Sequence, residues 1–307
     1  MKRFMLMGLI IVVAALIWVG CSKDNDDQEA NVTDQQALTD MMTNDQDIEG
    51  LDTWAGDDGG SGAGAFDDVI TPLRWHRHAV RHLVSVHVEI QGDTLATVTR
   101  THSFDGFLRV VTDTSDTGFS YVDKPMYNTL VRKAHAVRVG RTRYPRRNWR
   151  ISEITPEVLA SNTPNPHTIW PTEVRIYVET LFEPILMTQI TDPLHAYFSR
   201  DSLPAFATQA QIIVRVTANR DSSALAFLHP RVYQRVAHPR FEMRDDGIYP
   251  DEIAGDGIFA ASFNAGDRIA IHGVGLDLLD RGTLYDSMLP YDAGGWAIPY
   301  RVIPPVQ

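Results

Sequence analysis

The sequence predicts a mainly β protein, in which an N-terminal α+β antiparallel meander is followed by a β-sandwich. Apolar and polar residues alternate from about residue 80, with Val84 and Val86 on one face of a strand and Ser85 and His87 on the other. In the C-terminal half, short strand-like runs recur between turn signals, a spacing typical of a sandwich. One amphipathic helix precedes the strands, so the meander is expected to carry a helix on one face.

The helix is predicted over 34–48 and is expected to lie against another element. Thr33 and Gln36 form a capping-box pattern, in which Thr33 is the N-cap and Gln36 the third helical residue. The apolar residues with helical spacing are Leu38, Met41, Met42, Ile48 and Leu51. Because the segment 55–64 is rich in glycine, we predict a flexible loop there.

The meander is predicted to begin with a β-hairpin that turns at 91–93, where glycine and aspartate favour a tight turn. Further strands are predicted at 106–111, 129–139 and 149–154. A helix followed by a curved meander with a closing strand at 148–151 resembles the cystatin-like or NTF2-like arrangement over about 33–155. That resemblance implies a cavity between helix and sheet.

Two prolines among small polar residues at 161–166 predict an extended linker. The predicted divisions are a signal peptide 1–20, an acidic tether 21–32, an α+β module 33–155, a linker 156–167 and a β-sandwich 168–307. Strands of the second module are predicted at 172–179, 211–218, 258–264 and 269–277. We expect the two modules to be separately stable.

The chain begins with a membrane-targeting segment. Lys2 and Arg3 precede an apolar run at 4–19, which leads into Gly20 and Cys21. The sequence at 18–21 resembles the lipobox of bacterial lipoproteins. The resemblance implies cleavage before Cys21, acylation with fatty acids such as palmitate, and attachment to a membrane of the bacterial cell envelope. The alternative is an uncleaved anchor, although the run is shorter than the ~20 residues a span requires.

The residue after the lipidated cysteine is Ser22, which by the sorting rule for such lipoproteins favours the outer membrane over the inner one. Cys21 is the only cysteine of the chain. Because lipidation consumes that thiol, the mature chain has no disulfide, no thiolate metal site and no catalytic cysteine.

The charge of the chain is divided among three regions. Residues 22–68 carry a net charge of −13, residues 69–152 one of +8 and residues 153–307 one of −8. An acidic leader therefore precedes a basic and an acidic module, which supports a multi-part organisation.

An acidic segment at 245–257 is the most distinctive pattern of the second module. It resembles the Asp-Asp-Gly and Gly-Asp-Gly hairpin of immunoglobulin-like modules in bacterial cell-surface proteins, including those called choice-of-anchor X. The resemblance extends by strand layout over 168–303. Gly247, Gly255 and Gly257 are expected to adopt positive φ where acidic side chains cap turns.

The acids of this hairpin have two interpretations, turn capping and Ca²⁺ binding. The candidate calcium ligands are Asp245, Asp246, Asp251 and Asp256. Their spacing differs from that of an EF-hand, and Asx turns account for each aspartate without a metal.

A basic segment at 132–150 contains eight Lys or Arg and no acid. The candidates for contact with an anionic surface are Arg141, Arg143, Arg146 and Arg147. This segment is interpreted as a solvated strand face, as a surface that holds the acidic leader, or as one that meets anionic lipid headgroups. We expect no nucleic acid partner, because no nucleic-acid-binding motif accompanies the charge.

Histidines also gather early in the basic module, and His76 and His78 would share a face of a strand. His76, His78 and His82 alternate with Arg77 and Arg81, whose charges oppose cation binding. We therefore predict an exposed strand or loop rather than a metal site.

The sequence contains no phosphate-binding glycine loop, no nucleophile elbow and no metalloprotease helix motif. The leading prediction is a non-enzymatic, lipid-anchored envelope protein for adhesion, assembly or ligand binding, with other envelope proteins as partners. The alternative is a small-ligand or enzymatic pocket in the α+β module. Convergent His, Asp and Arg side chains lining a cavity would favour the pocket, and a filled apolar core the binding module.

Overall fold

The computed structural model describes residues 32–44, 60–61, 74–115, 118–199, 201–220, 223–230 and 240–305. Most of these residues lie in antiparallel β-sheets, as predicted. The lipobox at 18–21 and the tether before residue 32 lie outside the described residues.

The meander consists of three long strands, β2 (Arg74–Gln91), β3 (Leu95–Ser115) and β4 (Gly118–Arg138). The predicted hairpin turn is confirmed, since β2 and β3 pair antiparallel across residues 92–94. β3 joins the second strand of the predicted hairpin and the predicted strand 106–111 into one, because a bulge next to Ala79 lets the paired strands bend instead of ending. The predicted loop 55–64 contains a two-residue strand, β1 (Gly60–Ser61), that pairs with β2.

The predicted helix is α1 (Asp34–Asn44), and residues 45–48 of the prediction lie outside the described residues. The Gln36 amide donates to Thr33 Oγ1 at 3.1 Å, which confirms the N-cap. Leu38 and Met42 are buried in an apolar cluster with residues of the sheet. After β4 come a short helix α2 (Pro145–Asn148) and β5 (Trp149–Ile154), the latter as predicted. Helix α1 therefore packs on one end of the meander.

The rest of the chain is made of short strands. They are β6 (Glu157–Ser161), β7 (Pro171–Val178), β8 (Ile185–Ile190), β9 (Phe198–Ser199), β10 (Ala205–Ala207), β11 (Gln211–Ala218), β12 (Ala224–Pro230), β13 (Phe241–Met243), β14 (Ile258–Asn264), β15 (Ile271–Asp280) and β16 (Ala293–Ile303), with a helix α3 (Arg281–Tyr285) between the last two. The predicted strands at 211–218 and 258–264 are confirmed, whereas the sequence pattern missed β8, β12 and β16.

The predicted linker 156–167 is wrong in its local structure. Strand β6 lies there and pairs with both β4 and β16. Beyond it, Asn165 is buried, and its side-chain oxygen accepts from the Tyr127 amide at 2.8 Å. Prolines and small polar residues suggested an extended exposed segment. The same residue types also suit the segment after a strand, where side chains form hydrogen bonds with the sheet. That the two modules are separately stable stays a prediction.

Two sheets pack face to face in the second half. The smaller has the order β14-β11-β7-β8, and the larger continues through β4-β6-β16-β15-β12-β13. Alternate residues of both sheets form one apolar core, which includes Val174, Val214, Phe263, Leu276, Trp296 and Ile298. The predicted β-sandwich packing is therefore present at the level of two sheets around one core.

The back of the larger sheet is covered by the meander. Trp75 of β2 meets Phe227 of β12 edge to face, with ring centroids 5.2 Å apart. Around them lies a second apolar cluster that includes Phe104, Leu108, Met126, Leu159 and Leu279. The sheet thus curls until its first long strand faces its last strands, and this closure brings distant residues together.

Candidate functional site

The acidic hairpin connects the ends of β13 and β14. Carboxylate oxygens of Asp245, Asp251 and Asp256 lie within 4.8 Å of one another. The structure therefore brings together three of the four predicted calcium ligands, and Asp246 is not part of the group. In the described part of the chain, this is the one grouping of three or more metal-ligating side chains.

Asp245 fixes the end of the hairpin through three backbone amides. Its Oδ1 accepts from the amides of Gly255 and Asp256 at 2.6 and 3.1 Å, and its Oδ2 from Gly257 at 3.0 Å. Gly255 and Gly257 have φ of +73° and +79°, the region that residues with a side chain rarely adopt. The carboxylate thus satisfies amides of a turn that only glycine forms easily.

The other acids cap turns in the same way. Asp251 accepts from the Gly247 amide at 2.6 Å, while Asp246 accepts from the amide two residues later at 2.9 Å. Asp256 accepts from the Ile258 amide at 2.9 Å. Turn capping therefore accounts for each of the four acids. Three clustered carboxylates also suit Ca²⁺, which takes six to eight oxygens, so calcium binding stays a prediction.

The hairpin is attached to the outer face of the smaller sheet. The Tyr249 hydroxyl donates to a Glu179 carboxylate oxygen at 2.7 Å, and burial with this hydrogen bond raises the pKa of Tyr249 to about 12. Arg215 donates to the Pro250 carbonyl at 3.1 Å and lies 2.9 Å from the Glu252 carboxylate. These contacts hold the acidic turn rigidly against the sandwich.

The basic segment partly neutralises acids of this same chain. Arg146 pairs with Asp40 of α1, and Arg141 lies 3.2 Å from Asp93 at the hairpin turn. Upstream of these, Arg138 pairs with Asp34, the first residue of α1. This arrangement agrees with the interpretation of the segment as a surface that holds acidic residues of the N-terminal part.

The two remaining candidates for an anionic surface lie around one aromatic ring. The guanidinium carbons of Arg143 and Arg147 are 4.7 and 4.9 Å from the centroid of Tyr144. Both arginines are exposed. Because each keeps its charge at the surface, this corner of the molecule presents positive charge to the solvent.

Sequence reasoning missed a buried ion pair that closes the curled sheet. Arg77 of β2 donates to both carboxylate oxygens of Asp277 in β15, at 2.5 and 2.8 Å, although the two residues are 200 positions apart. Both side chains are completely buried. Arg77 also donates to the Tyr291 hydroxyl at 2.9 Å. Burial alone would raise the pKa of Asp277, but the Arg77 charge and hydrogen bonds from His229 and Arg77 lower it to about 2.

More polar groups line the concave face of the meander. Arg100 lies 3.6 Å from Glu157, and a ring nitrogen of His102 lies 3.1 Å from one of His82. Arg100, His102 and Glu157 are each at most 5% exposed. The signal for them was present in the sequence, since Arg100 and His102 continue the alternation of Ala96 and Val98 on the inner face. The concave face is therefore apolar at both ends and ionic in the middle.

A surface cleft of about 540 Å³ lies where β6 and β16 meet the start of β7. Its aromatic and apolar lining includes Trp170, Trp296, Pro171, Pro193 and His167, and its polar rim includes Asp192, Thr172 and Thr191. Trp170 is 41% exposed, and its ring lies 5.5 Å from that of His167. An exposed indole beside a carboxylate and hydroxyls suits a ring-shaped ligand that carries hydroxyl groups.

Comparison of the chain with protein-family models, with curated proteins and with solved structures gives no match. In the part of the chain that the structure describes, no helix has both the length and the apolar composition needed to cross a bilayer.

Proposed function

We propose that this chain is a lipid-anchored protein of the bacterial cell envelope that binds a carbohydrate in the cleft beside Trp170. In this proposal, acylated Cys21 attaches the protein to the membrane, and the meander and sandwich correspond to NTF2-like and immunoglobulin-like folds. The proteins that assemble with it are other envelope proteins. Support for the anchor is the Gly20-Cys21 junction after an apolar run.

The proposed binding function rests on the cleft. Its volume of about 540 Å³ lies within the range of small-ligand sites, and most of its lining is apolar. The apolar face of a sugar ring packs on an indole, while the Asp192 carboxylate accepts hydrogen bonds from sugar hydroxyls. Glycans are also the polymers that a protein anchored in a bacterial envelope meets at high concentration.

The burial of the ionic groups supports binding rather than catalysis. Arg77, Asp277, Arg100 and Glu157 are at most 4% exposed, so a substrate in solution does not touch them. Each pairs with a partner across the sheet, as a structural contact does. The acidic hairpin likewise uses its carboxylates to cap turns. We therefore infer a non-enzymatic protein.

The anchor is tested by intact-mass analysis of membrane fractions. We expect a mature chain that begins at Cys21 and carries acyl chains, whereas Cys21→Ser should stay unprocessed. An unmodified Cys21 on a mature, membrane-bound chain would exclude the lipid anchor.

The cleft is tested by calorimetric titration of the detergent-solubilised protein with chito-oligosaccharides. Trp170→Ala is expected to weaken binding at least tenfold, because the ring that the sugar packs on is lost. Phe182→Ala is the matched control, since Phe182 is an exposed aromatic residue outside the cleft lining and its loss should leave the affinity unchanged. Equal affinities of Trp170→Ala and the parent chain, or no saturable binding at all, would rule out this carbohydrate site.

A further inference from the structure

The turn between β7 and β8 carries two large apolar side chains in nearly full contact with solvent. Leu181 is 98% exposed and Phe182 is 96% exposed. The next strand continues the apolar surface, since Ile185 at its start is 53% exposed. Single exposed apolar residues are ordinary, but adjacent fully exposed ones at a protruding turn indicate a surface that something covers.

The turn is held in a defined conformation. Thr180 Oγ1 donates to the Glu183 carbonyl at 2.7 Å and accepts from the amides of Phe182 and Glu183 at 3.3 Å. Upstream, the Glu179 amide donates to the Gln211 carbonyl at 2.9 Å. The two apolar side chains therefore project outward from a fixed backbone.

Strand directions show which end of the molecule this turn occupies. β6 runs antiparallel to both β4 and β16, so β4 and β16 run in the same direction. The end of β16 pairs with β10, and a short turn leads from β10 to Gln211, beside the exposed turn. The end of β4 is Arg138, which pairs with Asp34 at the start of α1. The exposed turn and the start of the helix thus lie toward the same end.

Val32, from which the chain runs back to Cys21, lies at this same end. Ten residues lie between Cys21 and Val32, the first described residue, so eleven residue-to-residue steps join the two. Fully extended, they span at most about 40 Å. A bilayer that holds the acylated cysteine therefore lies within this distance of the start of α1. The exposed arginines Arg143 and Arg147 occupy the same end, since they belong to the segment between β4 and β5.

We propose that Leu181 and Phe182 insert into the same bilayer that holds acylated Cys21, while Arg143 and Arg147 contact its headgroups. The inference rests on the proposed lipid anchor. It gives the molecule a fixed orientation, with β7 pointing toward the membrane. Trp170 lies just before the opposite end of β7, and eight residues of strand span about 26 Å, so the cleft faces away from the lipid.

The test uses a single fluorescent label on the lipid-anchored protein. Because Cys21 is the only cysteine and its thiol is acylated, Phe182→Cys provides one reactive thiol for the dye NBD. The matched control is Met288→Cys, which is 86% exposed in the loop before β16, at the other end of that strand. Each labelled protein is reconstituted in vesicles of phosphatidylcholine and phosphatidylglycerol, with and without lipids that carry a spin label in the acyl chain.

We expect the spin-labelled lipids to quench the label at position 182 at least threefold more strongly than the label at position 288. Equal quenching at both positions, in protein that mass analysis shows to be acylated and vesicle-bound, would overturn the insertion while leaving the anchor intact. Failure of the protein to be acylated would instead contradict the proposed function. A protein partner on the turn would appear as equal weak quenching in these pure lipid vesicles.

Discussion

The two interiors of this protein differ in composition although both lie on faces of the same large sheet. The sandwich core is mainly apolar and is made by strands that approach from two sheets. The concave face of the meander has apolar clusters at its ends and buried charges between them. An apolar core tolerates small shifts of its strands, whereas a buried ion pair requires one alignment. The pair Arg77–Asp277 joins the first long strand, β2, to β15 across the closed sheet.

The role of the Arg77–Asp277 pair is tested most directly by Asp277→Ala. We expect a loss of about 3–5 kcal/mol in the free energy of unfolding, because the change leaves the buried Arg77 charge without its carboxylate. Urea denaturation, monitored by circular dichroism, measures this loss.

The double variant Arg77→Met, Asp277→Leu removes both charges and should recover most of that stability. Leu276→Ala, on the opposite face of the same strand, is the control and should cost about 2–5 kcal/mol by leaving a cavity, with no recovery when Arg77→Met is added. A double variant as unstable as Asp277→Ala would show that the charges do not act as a pair.

The pH dependence of stability gives a second test of the Arg77–Asp277 pair. The pKa of Asp277 in the folded protein is about 2, below the value of about 3.9 for an unfolded aspartate. The pair therefore stabilises the fold fully above about pH 5, and this contribution is lost progressively as the pH falls toward 2. Urea midpoints between pH 5 and pH 2.5 should fall more steeply for the parent chain than for the double variant. Parallel curves would mean that protonation of Asp277 does not cause this loss of stability at low pH.

The acidic hairpin provides a smaller effect outside both interiors. Asp245→Ala should lower the free energy of unfolding by about 1–3 kcal/mol, because three amides of the turn lose their acceptor. Asp246→Ala removes one amide contact and should cost less. Differential scanning calorimetry compares the variants.

The same scans, run with Ca²⁺ and with a chelator, separate the two interpretations of the hairpin. Turn capping predicts equal midpoints. Saturation at 100 times the dissociation constant would instead stabilise the folded state by about 2.7 kcal/mol, an effect that Asp256→Asn should reduce.

The smallest effect is expected at the surface. Arg146→Ala removes a partly exposed pair with Asp40 and should cost at most about 1 kcal/mol, since solvent screens such pairs. Chemical denaturation in low and high salt measures it. A loss as large as that for Asp277→Ala would mean that Arg146 holds α1 in place by more than this one pair.

Local signals in the sequence were reliable where neighbours along the chain decide the structure. The cap at Thr33, the turn at 91–93 and strand 211–218 were all predicted. They depend on residue spacing within a few positions, which the sequence displays directly. The four acids of the hairpin belong to the same class, because glycines and aspartates lie within thirteen residues of one another.

The sequence by itself thus determined that the chain is mainly β, that it turns at 91–93 and at 245–257, and that acids cap the second of these turns. Only the tertiary structure decided that strand β6 joins the two halves, that Arg77 meets Asp277, and that Leu181 and Phe182 remain exposed. A pairing between residues 200 positions apart leaves no periodic trace in either segment. Alternation along a strand shows which residues share a face, but which face becomes buried depends on where the whole sheet curls.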